Sequence, residues 1–136
     1  MKKHLFLALS LSLLIFTGIA QALSPIDNLE GHYVLIREGK QDTGQYIDLK
    51  RISGKKFHVS GFAYWTSTYN PDNVHTGELD HDVTVRSKVF YYSDGIEDYS
   101  CHAKVNWKPG KLTVKDNNQC GGMNVTFTGT YIKSKS

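Results

Sequence analysis

The residues with the most suggestive spacing for chemistry are three acids at every second position, Glu78, Asp80 and Asp82. In an extended segment they would lie on one side, with successive carboxylates about 7 Å apart. An inverting glycosidase needs two carboxylates at such a separation, with a water between them. It also needs one carboxyl group with a raised pKa, and no apolar cluster accompanies these acids in the sequence. We therefore interpret them as a solvated edge and predict that the protein is not an enzyme.

Histidines beside these acids raise the possibility of a metal site formed by His75, Asp80, His81 and Asp82. Zinc and copper need three or four ligands that converge on one point. In an extended segment, however, His81 would point away from Asp80 and Asp82. The chain also lacks the motifs G-x-S-x-G and H-E-x-x-H and a phosphate-binding P-loop. We therefore expect no metal, no cofactor and no catalytic residue.

Residues 1–22 have the three parts of a secretory signal peptide. Lys2-Lys3 form a positive start, an apolar run extends from Leu5 to Ile15, and Ala20-Gln21-Ala22 is an A-x-A cleavage site. The apolar run is too short for a stable transmembrane helix. We predict that residues 23–136 form one secreted domain with no stable membrane insertion. The short leader is typical of bacteria, so the expected location is the periplasm or the outside of the cell.

The charge of the predicted mature chain is close to neutral. Two of the sixteen lysines and arginines lie in the leader, which leaves fourteen basic residues against thirteen acidic ones. Sequence-independent nucleic-acid binding needs many uncompensated cations. We therefore expect no nucleic acid as a partner. A local basic cluster, Lys50, Arg51, Lys55 and Lys56, is interpreted as the solvated tip of a hairpin.

Alternation of apolar and polar residues dominates the mature chain and predicts half-buried antiparallel strands. Trp65 and Trp107 lie on the apolar side of their segments and are expected in the core. The turn signals Ser53-Gly54 and Pro109-Gly110 separate neighbouring segments. The predicted strands cover residues 31–37, 46–52, 56–66, 75–80, 83–92, 99–107, 111–116 and 124–133, and only a turn is expected near residues 25–29.

These segments predict an all-β fold, a small antiparallel barrel of about eight strands in simple sequential order. The alternative is a two-sheet β-sandwich. We favour the barrel because closure removes exposed strand edges. The inward positions carry side chains large enough to fill such a barrel.

The only cysteines are Cys101 and Cys120, and both follow the leader. In an oxidising compartment two cysteines most simply form one disulfide. A hairpin centred on Pro109-Gly110 would place Cys101 opposite Asn118, two residues before Cys120. The bond would stabilise the fold by roughly 3 kcal/mol according to the loop-entropy model. Gly121-Gly122 would supply the sharp bend that follows it.

The C-terminal third carries a recognisable pattern, C-G-G-x-N-V-x-F-x-G-x-Y, from Cys120 to Tyr131, preceded by the strand cysteine Cys101. From Tyr99 to Tyr131 the chain resembles small secreted β domains described as lysozyme-inhibitor-like, including the LprI-type group. The resemblance implies a disulfide-linked β domain and inhibition of a lysozyme-like hydrolase. It implies no particular site residue, because the matched positions also have structural roles.

Two loops carry candidate recognition residues, because loops often carry function and tyrosine often anchors interfaces. The first, residues 66–73, contains Tyr69. The second, residues 91–99, holds three acids and no base. We predict that a protein partner contacts Tyr69 and, in the second loop, Tyr92, Asp94, Ile96, Glu97 and Asp98, with Tyr92 or Ile96 as the apolar anchor.

The expected function is therefore that of a secreted or periplasmic protein-binding module. Its partner is expected to be a basic hydrolase such as a lysozyme, because an acidic loop attracts a cationic protein. The alternative is a lipocalin-like barrel that binds a small apolar or envelope-derived ligand. The two functions differ in the barrel interior, since the second needs a hollow one.

Overall fold

A computed structural model of the protein describes residues 18–19 and 24–135, so nearly all of the predicted signal peptide lies outside the described residues. A short 3-10 helix, Pro25–Asn28, starts the domain, at the place where a turn was predicted. The described residues then form eight strands, which confirms the all-β class. They are β1 (Gly31–Arg37), β2 (Lys40–Ser53), β3 (Lys56–Thr66), β4 (Val74–Thr84), β5 (Val89–Ser93), β6 (His102–Lys108), β7 (Lys111–Asp116) and β8 (Gly129–Lys133).

The strands form a single antiparallel sheet that curls into a nearly closed barrel, as predicted. Their order in the sheet is β4-β3-β2-β1-β8-β7-β6-β5, so the first and last strands pair with each other. Every other strand pairs with its neighbour in sequence, except that β4 and β5 share no ladder. We call the gap between β4 and β5 the seam. The two edge strands face each other across it, because the Tyr92 hydroxyl on β5 accepts a 2.9 Å hydrogen bond from the Asp80 amide on β4.

Large side chains fill the barrel. Tyr33, Phe57, Phe127 and Tyr131 are all completely buried inside it. The Tyr33 hydroxyl donates to the carbonyl of Leu29, and burial raises the pKa of Tyr33 to about 12. A barrel packed in this way has a filled interior, which decides between the filled and hollow barrels that the sequence leaves open.

The ends of several strands differ from the prediction, because backbone groups there bond elsewhere. The predicted last strand began at residue 124, but β8 begins at Gly129. The amide of Phe127 donates to the carboxylate of Asp116 instead of joining a ladder. Likewise β6 begins at His102 rather than at residue 99, since the Cys101 amide donates to the side chain of Asp94.

The predicted strand at residues 83–92 is in fact divided between β4 and β5. The break follows β4, where the Val85 amide donates to the carbonyl of Lys55 in the β2–β3 turn. That turn consists of Gly54-Lys55, one residue later than predicted, and Gly54 has φ +49°. The Pro109-Gly110 turn is confirmed, with Lys108 paired to Lys111.

Strand β2 is longer than predicted and begins at Lys40. The register between β1 and β2 shifts between Val34 and Leu35. Because of this irregularity, three consecutive residues of β1, Tyr33, Val34 and Leu35, are buried instead of every second one. The two tryptophans also differ from each other. Trp107 is buried as predicted, whereas Trp65 is only half-buried at the edge of the core, next to the ring of His75.

Candidate functional site

Three long loops lie at one end of the barrel. They follow β3, β5 and β7 and comprise residues 67–73, 94–101 and 117–128. Because neighbouring strands are antiparallel, every second connection lies at the same end. We call this end the acidic end, since its three long loops contain four carboxylates and no lysine, arginine or histidine. The carboxylates belong to Asp72, Asp94, Glu97 and Asp98. The fourth connection at this end is the short β1–β2 turn, Glu38-Gly39, which Arg37 and Lys40 flank.

The acidic end also carries large apolar side chains in contact with solvent. Ile96 is 100% exposed, Tyr69 98% and Tyr99 72%, and Met123 is exposed as well. Exposed apolar side chains are common one at a time, and here Ile96 and Tyr99 share one loop while Tyr69 and Met123 belong to the other two. The acidic end therefore combines charge with apolar contact area.

Loop 94–101 has a defined conformation because its own polar groups hold it. The Asp94 carboxylate accepts a 2.8 Å hydrogen bond from the Cys101 amide, and the Asp94 amide donates back to the Cys101 carbonyl. Within the loop, the Ser100 amide donates to the carbonyl of Glu97 at 2.9 Å. These bonds leave the side chains of Ile96, Glu97 and Asp98 pointing into solvent.

The predicted disulfide joins loop 94–101 to loop 117–128. Cys101 and Cys120 are bonded, with their Cα atoms 4.5 Å apart. The predicted register of β6 and β7 is correct, since Ala103 pairs with Asp116, and the two chains continue side by side up to the cysteines. The bond fixes two of the three acidic-end loops to each other.

Loop 117–128 crosses the seam and seals it at the acidic end. The Gly122 amide donates to the carbonyl of Thr76 on β4 at 3.0 Å, and His75 Nδ1 donates to the carbonyl of Met123 at 2.7 Å. Gly77 lies against the backbone of Cys120 and Gly121. A Cβ on Gly77 would lie 2.2 Å from the Cys120 carbonyl oxygen and 2.8 Å from the Gly121 Cα. The predicted bend at Gly121-Gly122 thus serves to bring the chain against β4.

Two buried polar residues that no local sequence pattern marks, Asp116 and Gln45, hold this loop. Asp116 accepts hydrogen bonds from the Phe127 amide at 2.7 Å and from the Thr126 hydroxyl at 2.8 Å. Gln45 donates to the Thr126 carbonyl and to the Tyr131 hydroxyl. The irregular stretch of β2 before Tyr46 allows Gln45 to be buried, and no local signal in the sequence marks it.

The structure separates the predicted contact residues into two groups. Asp94, Ile96, Glu97 and Asp98 lie together on loop 94–101. Tyr69 lies on another loop of the same end, and no hydrogen bond between the described residues joins the two loops. Tyr92 is different, because its side chain is 2% exposed and its hydroxyl is engaged at the seam. The prediction of Tyr92 as a contact residue is therefore corrected, and Tyr99 is the exposed tyrosine of the loop.

Two acids of β4, Asp80 and Asp82, form ion pairs on the outer wall of the barrel. The His58 ring on β3 lies between the two carboxylates. Its Nε2 atom is 2.8 Å from Asp80 Oδ1, and its Nδ1 atom is 2.7 Å from Asp82 Oδ1. The hydrogen bond to Asp82 is the main cause that raises the pKa of His58, and the same bond lowers the pKa of Asp82. A lowered pKa is the opposite of what a general acid needs at neutral pH. Within the described ranges, no three histidine, cysteine or acidic side chains are grouped as metal ligands.

In the part of the chain that the structure describes, no helix has the length and apolar character needed to cross a membrane. The chain matches no protein-family model, no curated protein and no solved structure.

Proposed function

We propose that the protein is a secreted binding module whose acidic end docks onto a basic protein, and that this partner is a lysozyme-like hydrolase. One observation carries the proposal. Three loops at a single end of the barrel carry four carboxylates and four exposed large apolar side chains, with no cation within the loops. The resemblance of residues 99–131 to lysozyme-inhibitor-like domains supplies the class of partner.

The charge of the acidic end favours a cationic partner. Carboxylates at the rim of an interface attract a basic surface over a distance and raise the association rate more than the affinity. Lysozymes are typically basic and have an open cleft for sugars. A protruding loop without any lysine or arginine meets such a surface with no like-charge repulsion.

The apolar side chains of loop 94–101 supply the contacts that slow dissociation. Ile96 and Tyr99 flank the two free acids Glu97 and Asp98, so an apolar anchor and a charged rim come from the same loop. A few buried anchors dominate most interfaces, with polar residues around them. The hydrogen bonds and the disulfide that hold the loop reduce the entropy lost on binding.

The filled barrel is the reason to prefer this function over a lipocalin-like one. A ligand inside the barrel would need the space that Tyr33, Phe57, Phe127 and Tyr131 occupy. Recognition by surface loops needs no such space.

Inhibition assays with c-type, g-type and i-type lysozymes test the proposal. We expect the purified protein to inhibit at least one type at about micromolar concentration, and more strongly at low salt than at physiological salt. The informative variant is Glu97→Gln/Asp98→Asn, because these carboxylates hold no part of the loop. Its matched control, Glu30→Gln/Glu78→Gln, removes the same charge outside the acidic end.

The double variant at the loop should slow association by about three- to tenfold, while the control pair leaves the rate unchanged. Ile96→Ala should raise the dissociation rate by about fivefold or more, the effect of losing an interface anchor. Absence of inhibition and of binding for all three lysozyme types would remove the lysozyme as partner. Equal inhibition by the loop variant and the control would support the inhibitory function but would show that loop 94–101 is not the contact site.

A further inference from the structure

A cleft of about 420 Å³ lies at the end of the barrel opposite to the acidic end. The β2–β3 turn, the β4–β5 connection and the residues before β1 surround it. These segments precede odd-numbered strands and therefore lie at the other end from the three acidic loops. Its lining includes three apolar residues, Ile26, Val85 and Trp107, and three cations, Lys55, Arg86 and Lys88.

The floor of the cleft is apolar and built from the core. Val85 and Trp107 are buried, and Ile26 packs against the same core cluster. A concave site with an apolar floor and a few polar groups at its edge is the usual form of a small-molecule site, and such sites have volumes of about 300–1,000 Å³.

The rim of the cleft is cationic. Lys55, Arg86 and Lys88 are exposed side chains that line it together. Among the residues that the structure describes, none of the three has a carboxylate within 4 Å, whereas Arg37, Arg51 and Lys56 all have one. The Lys88 ammonium instead lies 4.1 Å from the centre of the Trp107 ring. Three cations around one apolar floor, without acids of their own, fit a negatively charged ligand.

The walls of the cleft are held in place before any ligand arrives. The Val85 amide donates to the carbonyl of Lys55 at 2.8 Å, which ties the β4–β5 connection to the β2–β3 turn. The Trp107 indole Nε1–H donates to the Ser87 carbonyl at 2.8 Å, and the Trp107 amide donates to the Lys88 carbonyl at 2.9 Å. A pre-formed site loses little entropy on binding.

We propose that this cleft binds an amphipathic anion, a molecule with an apolar chain or ring and one carboxylate or phosphate group. The apolar part lies on Ile26 and on the accessible edge of Trp107, above the buried Val85, and the anionic group lies among Lys55, Arg86 and Lys88. The cleft is separate from the acidic end, so a negative result at one site does not affect the proposal for the other.

Trp107 provides a reporter for the test. The other tryptophan, Trp65, is at the acidic end of β3 and lines no part of the cleft, so Trp65→Phe leaves Trp107 as the only tryptophan. The probes are decanoate, decyl phosphate and decanol, which share one chain and differ in the head group. Each is titrated below its micelle concentration, with Trp107 emission and calorimetry as readouts.

We expect decanoate or decyl phosphate to bind with a change in Trp107 emission, and decanol to bind about tenfold more weakly or not at all. If only one of the two anions binds, the proposal holds and the head group is identified. Equal binding of decanol and both anions would overturn it, and so would the absence of any binding.

A charge-matched pair of variants locates the anion. Lys55→Gln/Arg86→Gln/Lys88→Gln removes the rim, and Lys40→Gln/Lys104→Gln/Lys115→Gln removes three lysines outside the cleft. The rim variant should weaken decanoate binding by about two- to fivefold for each charge removed, the range for partly exposed ion pairs. An equal loss in the control variant would overturn the proposal, because the effect would then come from net charge alone. Unchanged thermal unfolding of both variants excludes misfolding as the cause, since all six side chains project from the surface.

Discussion

The carboxylate of Asp116 accepts a 2.7 Å hydrogen bond from the backbone amide of Phe127, so a side chain at the end of β7 takes the place of a strand neighbour. The same carboxylate accepts bonds from the hydroxyls of Thr126 and Thr128 and from the Asn118 amide. Asp116 thereby places Phe127 inside the barrel and holds loop 117–128 over the seam.

Asp116→Ala should destabilise the fold by about 3–5 kcal/mol, because it leaves buried donors without an acceptor. Asp116→Asn should cost less, since one acceptor oxygen remains. Urea unfolding measures both changes, and Asp48→Ala on the outer wall is the control, with an expected loss below about 1 kcal/mol. A loss as small for Asp116→Ala as for the control would show that solvent replaces these bonds.

Breaking the disulfide should cost about 2–5 kcal/mol, the usual range for a small disulfide-bonded domain. The variant Cys101→Ser/Cys120→Ser and the reduced native chain should unfold at similar urea concentrations, both below that of the oxidised chain. Reductant should have no effect on the double variant, which serves as the control. Alkylation of two thiols in the unreduced native protein would contradict the bond itself.

Gly77→Ala should destabilise loop 117–128, because the added Cβ would lie 2.2 Å from the Cys120 carbonyl oxygen and backbone would have to move. We expect a loss of about 1–3 kcal/mol, typical of overpacking. Hydrogen exchange should locate the effect as faster exchange of the Gly122 amide, which is bonded to Thr76. Thr76→Ala removes an exposed neighbouring side chain and should leave that amide protected, so equal exchange in both variants would rule out the steric explanation.

The pair His58–Asp82 should make stability depend on pH. Its hydrogen bond raises the pKa of His58 above the ordinary value of 6.5 and lowers the pKa of Asp82 below 3.8. The protonated histidine therefore contributes stability that is fully present below about pH 6.5 and is lost as the pH rises through the raised pKa. The carboxylate contributes stability above about pH 3.8 that is lost as the pH falls through the lowered pKa.

Titration of the His58 ring signals by NMR measures this directly. The midpoint should lie above 6.5 in the native protein and should fall in Asp82→Asn, which removes the main partner. Asp48→Asn removes a carboxylate that pairs with His32 instead, and should leave the His58 midpoint unchanged. A midpoint that does not respond to Asp82→Asn would mean that the pair is not formed in solution.

Local patterns in the sequence were sufficient for much of the fold. Alternation with period two predicted β3 and β7 with correct bounds, because a half-buried strand must place apolar side chains on one face. The Pro109-Gly110 turn then set the register of β6 and β7, and with it the pairing of the two cysteines. The exposed acids of loop 94–101 were also visible in the sequence, since that loop contains no base.

Contacts between distant segments decided the rest. A closed barrel in sequential order already implies that β1 pairs with β8, but only the structure shows that the sheet is interrupted between β4 and β5. Alternation placed Tyr92 correctly on a strand, but its burial depends on an edge strand that arrives from across the seam. Asp116 and Gln45 are polar residues whose burial is stabilised mainly by distant partners. Thr126 and Phe127 bond to Asp116 from ten and eleven positions away, and the partners of Gln45 lie more than eighty positions away, so no local pattern indicates either residue. The cationic cleft likewise forms only where three separate connections meet, because Lys55, Arg86 and Trp107 lie far apart along the chain and are brought together by closure of the barrel.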